Sequence, residues 1–315
     1  KQKFPNKYLS ILWALKDCAI FSFIEDNFER HPFFHSLIRD NSVERILRKE
    51  KYLIDNRKIS SCYRFSYEFS PKYAENPIHI EFSFDINSAF QQRVFAIIGQ
   101  NGVGKTQLIT ALPLDLAKGR EDLFAPQVPL YSKVIAVSTS LYDSFDVPKN
   151  SVGFNYIYCG LACGKKDNKT VLAPKELKLK LLETTKTING RERAESLRNI
   201  LSPLYSADII SALFTTQEEK LKVNQAHLVE IVDYMSSGES SLLFIFCNIV
   251  ANIRYDSLIL FDEPETHLHP NAITSLMSSI YQLLDEYQSY AIIVTHSPLV
   301  IREMRSIGVR IMDRI

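Results

Sequence analysis

A glycine-rich segment from Gly99 to Thr106 has the residue types and spacing of a loop that binds nucleotide phosphates. It matches the pattern G-x-x-x-x-G-K-[ST] at every fixed position. Glycines let main-chain N–H groups turn towards phosphate oxygens, and the dipole of the following helix strengthens the attraction. We expect Lys105 to contact the β- and γ-phosphate oxygens and the Thr106 hydroxyl to bind Mg²⁺. The nucleotide-binding residues predicted in this segment are Gly99, Asn101, Gly102, Gly104, Lys105, Thr106 and Gln107.

Two acids stand together at the end of the apolar run Leu258–Phe261. A strand that delivers two carboxylates in this way is the Walker B arrangement, which accompanies a phosphate loop. We expect Asp262 to hold Mg²⁺, directly or through water, and Glu263 to polarise the water that attacks the γ-phosphate. The alternative is a strand that simply ends in a polar turn, and the phosphate loop upstream disfavours it.

Two further segments carry serines and a histidine. Residues 235–240 read Met-Ser-Ser-Gly-Glu-Ser and precede the apolar run Leu242–Val250, which predicts a buried helix. Such a helix start suits an anion, and it equally suits a capping box in which Glu239 takes part. The second segment places His296 just after the apolar run Tyr290–Val294. A lone histidine is usually structural, but this one follows another predicted strand.

In this order, the four segments resemble the Walker A, signature, Walker B and switch-histidine motifs of ABC-type ATPases. The resemblance extends from Gly99 to Ser297. It implies ATP and Mg²⁺ as cofactors and catalytic roles for Glu263 and His296. It also implies a homodimer or higher oligomer, in which each signature contacts the γ-phosphate held by the partner subunit. The signature residues so implied are Ser236, Ser237, Gly238 and Glu239.

The hydrophobic pattern predicts the elements that position these residues. Strict alternation over Tyr63–Phe69 and Ile78–Phe84 is typical of half-buried strands. Continuous apolar runs predict strands buried on both faces. These runs are Val94–Ile98, Lys133–Val137, Ser257–Phe261 and Tyr290–Val294, followed by a short strand at Val309–Met312.

The hydrophobic pattern predicts an α/β fold class, and the resemblance to ABC-type ATPases implies an ABC-ATPase head with a P-loop core sheet and an antiparallel β subdomain. Residues 1–60 form a predicted N-terminal helical extension, and 61–140 the first part of the ATPase core. Residues 141–234 form a predicted inserted helical lobe, and 235–315 the second part of the core. No heptad pattern persists, so we expect a compact lobe rather than a coiled-coil arm.

Two positions depart from the ABC pattern. Ser138, Thr139 and Ser140 stand where a Q-loop glutamine is expected. No motif identifies the residue that stacks on adenine, for which Phe82 and Phe84 are the candidates.

The loop Glu265–Pro270 resembles the D-loop of the OLD, RecF and SMC-like branch, and in it His267 and His269 favour a structural or dimer contact over a metal site.

A narrower resemblance, to PtuA-type ATPases of Septu and retron antiphage systems, is carried by residues 95–106, 156–160 and 234–239. It implies a PtuB-like HNH nuclease as partner, and in retron versions a reverse transcriptase with its RNA–DNA product. The chains of PtuA-type relatives continue past the last predicted core strand, so a segment that docks the nuclease is expected beyond Ile315.

Two other classes of function compete with nuclease regulation. A transporter subunit is disfavoured by the Glu265–Pro270 loop and by the missing Q-loop glutamine. A RecF-like or SMC-like DNA-repair clamp requires a basic surface, although a solvated helix face is the commoner reading of such clusters. The candidate residues are Lys165, Lys166, Lys169, Lys175, Lys178, Lys180, Arg191, Arg193 and Arg198.

Composition limits the setting. The 37 Lys and Arg balance 36 Asp and Glu, so no global field attracts nucleic acid or membrane. Five scattered cysteines favour reduced thiols in the cytoplasm over disulfides, and a metal between Cys159 and Cys163 is disfavoured because no second pair accompanies them. The longest apolar stretch, Leu242–Ala251, is about half the ~20 residues that a membrane span needs.

Overall fold

The computed structural model describes residues 7–15, 17, 64–72, 76–84, 92–100, 102–129, 131–138, 156–160, 162–163, 170–171, 174–266, 268–304 and 308–312. Of the predicted N-terminal extension, the described part contains one helix, α1 (Tyr8–Ala14). Asn101, Thr139, Ser140, His267 and the cluster Lys165, Lys166 and Lys169 lie outside the described residues.

A six-stranded parallel sheet forms the centre of the fold. Its strands, in spatial order, are β13 (Val309–Met312), β3 (Val94–Gly99), β12 (Tyr290–Val294), β11 (Leu258–Asp262), β5 (Val134–Ser138) and β6 (Tyr156–Tyr158). The apolar runs predicted as doubly buried strands all lie in this sheet, with ends shifted by at most one residue. This confirms the α/β fold class.

Alternate residues of the central strands face two separate hydrophobic clusters. Ile259 and Phe261 point into one cluster, and Leu258 and Leu260 point into the other. The first cluster contains the apolar side of α7 (Ser237–Asn252) and of α8 (Pro270–Glu286). The second contains the apolar side of α2 (Lys105–Lys118). The helix after the phosphate loop and the helix after the predicted signature therefore pack on opposite faces of the sheet.

A three-stranded antiparallel sheet covers the α2 face. It has the order β2 (Ile78–Ser83), β1 (Arg64–Phe69) and β4 (Phe124–Ala125). Aromatic side chains fill the space beneath it. Phe82 and Phe84 belong to this core, at 1% and 3% exposure, and their rings contact the ring of Phe95. The suggestion that either ring stacks on adenine is therefore wrong, because neither has a face open to a ligand.

The segment from 141 to 234 supplies helices and, in addition, a strand of the central sheet. Its first described element, β6, pairs in parallel with β5. Two short strands, β7 (Ala162–Cys163) and β8 (Thr170–Val171), pair with each other. Four helices follow, with a hairpin between the third and the fourth. They are α3 (Pro174–Gly190), α4 (Ala194–Leu201), α5 (Ala207–Leu213), the hairpin β9 (Phe214–Gln217) and β10 (Lys220–Val223), and α6 (Gln225–Tyr234).

The helices of this segment pack against α7, chiefly through α3 and α4. The last helix of the described chain is α9 (Pro298–Arg302), which follows β12. Within the described residues, no helix is both long enough and apolar enough to cross a membrane.

Candidate functional site

The phosphate loop joins the end of β3 to the start of α2. Gly104 is the N-cap of α2 and has φ +97°, a left-handed conformation that costs other residues energy. A Cβ on Gly99 would lie 2.3 Å from the main-chain oxygen of Met312 on the neighbouring β13. The glycines at both ends of the motif are thus required by backbone geometry and by close strand packing. The intervening turn leaves main-chain N–H groups at a helix start, where an anion binds.

Lys105 occupies the first position of α2 and is 5% exposed. Its ammonium group donates hydrogen bonds to the main-chain oxygens of Gly99, at 2.8 Å, and Gln100, at 2.9 Å. Desolvation lowers the pKa of Lys105, and the carboxylates of Glu263 and Asp262 oppose that shift. The lysine of the loop, Asp262 at the end of β11 and Glu263 after it therefore share one electrostatic environment.

Asp262 lies at the carboxyl end of β11, between Ser138 of β5 and Val294 of β12 in the sheet register. It is 2% exposed. A buried carboxylate close to a lysine, together with the partly buried Thr106 hydroxyl at the start of α2, provides the oxygen donors that Mg²⁺ prefers. These residues fit the predicted metal position.

Glu263 and His296 form a contacting pair at the same edge of the sheet. The Nε2 atom of His296 lies 2.5 Å from Oε1 of Glu263, and the two side chains are 41% and 32% exposed. Glu263 has φ +46°, and its main-chain N–H donates to the oxygen of Val294 at 2.9 Å. A carboxylate that contacts an imidazole at an open edge can accept a proton from a water molecule.

A third acid, Glu265, contacts the strand that carries His296. The Thr295 hydroxyl donates a hydrogen bond to the Glu265 carboxylate, and the main-chain N–H of Ser297 donates to the Thr295 oxygen at 2.8 Å. Burial raises the pKa of Glu265. Sequence reasoning did not single out this contact, because its partners are 30 residues apart and no motif links them.

The predicted signature residues begin α7 as a capping box. Ser236 is the N-cap and accepts a hydrogen bond from the Glu239 main-chain N–H at 3.3 Å. The Glu239 carboxylate accepts from the Ser236 main-chain N–H at 2.9 Å and from its hydroxyl at 2.7 Å. The capping box that the sequence offered as an alternative is therefore formed. The cap leaves the side chains of Ser236 and Ser237 exposed.

The structure separates the predicted site residues into two groups. Those of the phosphate loop that are described, with Asp262, Glu263 and His296, lie at the carboxyl edge of the central sheet. Ser236 to Glu239 lie at the start of α7, on the opposite face of the sheet from α2. Gln107 accepts a hydrogen bond from the main-chain N–H of Lys72 at 3.1 Å, so its amide oxygen contacts the antiparallel subdomain. His269 is exposed and caps α8.

A family model described as "AAA domain, putative AbiEii toxin, Type IV TA system" matches residues 175–302. The match covers less than half of the chain but includes the start of α7, Asp262 at the end of β11, Glu263 directly after it, and His296. The phosphate loop at the end of β3 lies upstream of the matched residues. Over the matched residues, the chain is similar to this family of AAA domains.

Individual proteins and solved structures resemble this chain at low sequence identity. Protein ea59 of Escherichia phage lambda is 24% identical over 331 residues, which cover 94% of this chain and 63% of that protein. The chain therefore spans less than two thirds of the length of this relative. The ATP-binding cassette of an ABC transporter in its ADP conformation is 14% identical, with a TM-score of 0.41 over 80% of this chain and 88% of that chain. An SMC head bound to the C-winged helix domain of ScpA is 15% identical, with a TM-score of 0.36 over 76% and 91%.

Proposed function

We propose that two copies of this chain bind ATP and Mg²⁺ between them in the cytoplasm, and that this state regulates a partner HNH nuclease in antiphage defence. The observation that carries the dimer is the position of α7. Its exposed N-terminal serines lie on the opposite face of the sheet from the phosphate-loop helix. A second copy can bring those serines to the phosphates held by the first.

In each copy, the residues at the carboxyl edge of the central sheet have different proposed roles in ATP binding and hydrolysis. Lys105 and the loop N–H groups bind the phosphates, and Asp262 and Thr106 would hold Mg²⁺. When bound, Mg²⁺ would neutralise negative charge on the phosphate oxygens. Glu263 accepts a proton from the attacking water, and the contact with His296 keeps its carboxylate in place. Ser237 of the partner subunit adds a donor to the γ-phosphate.

The nuclease partner is inferred from residue likeness. The segments 95–106, 156–160 and 234–239, which resemble PtuA-type ATPases, fall on the phosphate loop, on β6 with the turn after it, and on the start of α7. The description of the matching family model names a putative AbiEii toxin of a type IV toxin–antitoxin system. A reverse transcriptase with its RNA–DNA product would join the complex in a retron version.

Four of the candidate cations that the structure describes do not favour the alternative of a DNA-repair clamp. Arg191 and Arg193 donate hydrogen bonds to main-chain oxygens at the end of α7. Lys178 pairs with Asp233, and Lys180 lies 5.5 Å from the ring centroid of Phe244. Side chains used in this way stabilise the fold and are poorly placed to follow a phosphate backbone.

Co-expression with an HNH nuclease encoded beside this chain tests the proposal. We expect the two to co-purify, and we expect the Glu263→Gln variant, which holds ATP without hydrolysing it, to keep the nuclease inactive on DNA. The Lys105→Ala variant, which loses the phosphate contacts, should release nuclease activity under the same conditions. Nuclease activity that is identical with both variants, or a nuclease that does not associate with the ATPase, would contradict the regulatory role.

A further inference from the structure

One hydroxyl group connects the two loops that carry Glu263 and His296. Thr295 is fully buried at the end of β12. Its hydroxyl donates to the carboxylate of Glu265 in the loop after β11, and its oxygen accepts the main-chain N–H of Ser297 at 2.8 Å. Because donor and acceptor functions are both used, the Thr295 side chain has one defined orientation.

Both ends of this bridge adjoin the contacting pair. Glu265 follows Glu263 by two residues, and Thr295 immediately precedes His296. The side chains of Glu263 and His296 are about one-third and two-fifths exposed, so their surroundings enclose them only in part. The main chain on either side therefore contributes to their relative position.

Main-chain hydrogen bonds fix part of this geometry. The Glu263 N–H donates to Val294 at 2.9 Å, and the Thr295 N–H donates to Ile97 of β3 at 3.1 Å. They hold the strand ends and stop short of His296, which lies after the last ladder bond. The contact from Glu265 to Thr295, and from Thr295 to Ser297, continues the restraint past His296.

We propose that Glu265 is a positioning residue, which acts through the Thr295 hydroxyl to hold His296 against Glu263. This deepens the proposed function, on whose assignment of Glu263 and His296 it rests. Glu265 lies in the loop that resembles a D-loop. A change in that loop would therefore reach the water-activating pair through two hydrogen bonds.

Single-turnover hydrolysis with enzyme in excess tests the link. Thr295→Val keeps the shape of the side chain and removes the hydroxyl, whereas Thr295→Ser keeps the hydroxyl. Glu265→Met removes the acceptor at similar length. We expect Thr295→Val and Glu265→Met each to slow hydrolysis on the order of 10- to 100-fold, as misplacement of a reacting group does. ATP affinity should stay within about twofold, because no phosphate contact changes. Thr295→Ser should remain close to the parent.

A variant that carries both Thr295→Val and Glu265→Met shows whether the two residues act through one another or independently. If Glu265 acts through Thr295, the double variant should be no slower than the slower single variant. Losses that multiply in the double variant, or a Thr295→Ser loss as large as that of Thr295→Val, would overturn the proposal.

A second measurement does not depend on hydrolysis. In the nucleotide-free protein labelled at the histidine rings, the signal that disappears in His296→Gln identifies His296. We expect this signal to shift in Thr295→Val and in Glu265→Met but not in Thr295→Ser. The signal of His79, which pairs with Glu68 on the antiparallel sheet, serves as the unaffected control. A His296 signal that stays in place in both variants would overturn the link even if the dimer and the nuclease partner are correct. Conversely, a shift would uphold it if they are not.

Discussion

At the scale of single residues, Glu263 contacts His296 in the candidate site and also has a left-handed backbone conformation. Its φ of +46° lies in the left-handed region, which costs a non-glycine residue roughly 1–2 kcal/mol. The neighbouring ladder bond from its N–H to Val294 holds it there. Strain of this kind collects at functional sites, where the surrounding structure maintains it.

A comparison of two variants tests this strain. Both Glu263→Gln and Glu263→Gly remove the carboxylate, but only glycine adopts a positive φ without a steric penalty. We expect Glu263→Gly to be more stable than Glu263→Gln, by about 1 kcal/mol in denaturant unfolding. The gain is partly offset because glycine loses more conformational freedom on folding. Equal or lower stability of the glycine variant would show that the backbone at this position is not strained.

The motif residues could be predicted from sequence because each sits at a fixed spacing from its neighbours. Lys105 follows its loop directly, and Asp262 and Glu263 end an apolar run, so local pattern placed them. The contact between Glu265 and Thr295 depends on two strands lying side by side, which no local pattern reveals. The burial of Phe82 and Phe84 could not be predicted for a related reason. Alternation shows that a strand has two faces, but it does not show which face a second layer of the fold covers.

At the scale of elements, the sequence marked the central strands well, because a strand buried on both faces must be continuously apolar. It did not mark β6 as part of the central sheet. Its three residues favour a strand and are half-buried at the edge, but three residues are too few for a period to show which sheet they join. The start of α7 was recognised as either a signature or a capping box, and the structure shows that the cap is formed.

The C-terminal end of α7 contacts Arg193, one of the residues that the sequence offered as a candidate for nucleic-acid binding. Arg193 donates to the main-chain oxygens of Val250 and Ile253, both at 2.8 Å. A cation at a helix C-terminus interacts favourably with the helix dipole. This arginine therefore ties α4 to the helix that presents the predicted signature.

Replacement of Arg193 tests that assignment. Arg193→Met loses two hydrogen bonds from a charged donor, so we expect a destabilisation of roughly 2–3 kcal/mol. Arg198→Met is the matched control, because Arg198 makes an ion pair with the exposed Glu195 at 3.5 Å and such pairs contribute about 0–1 kcal/mol. The check is the free energy of unfolding for both variants. A larger loss from Arg198 than from Arg193 would contradict the helix-capping role.

At the scale of the whole molecule, the proposed ATP site has two parts that lie apart in one copy. The described phosphate-loop residues, Glu263 and His296 lie at the carboxyl edge of the central sheet, whereas the serines at the start of α7 belong to a helix on the face opposite α2. The proposed site therefore needs a second copy to complete it, and the near-neutral overall charge provides no long-range attraction to nucleic acid.

Complementation between two inactive variants tests this composite site most directly. Glu263→Gln disables the catalytic half and leaves the signature intact, whereas Ser237→Arg blocks the signature and leaves the catalytic half intact. Each variant alone should be inactive. An equal mixture should form mixed dimers that contain one complete site, and its ATP hydrolysis should recover to about a quarter of the parent rate. If the mixture stays inactive although mixed dimers form, the ATP site is not shared between copies and the account is wrong.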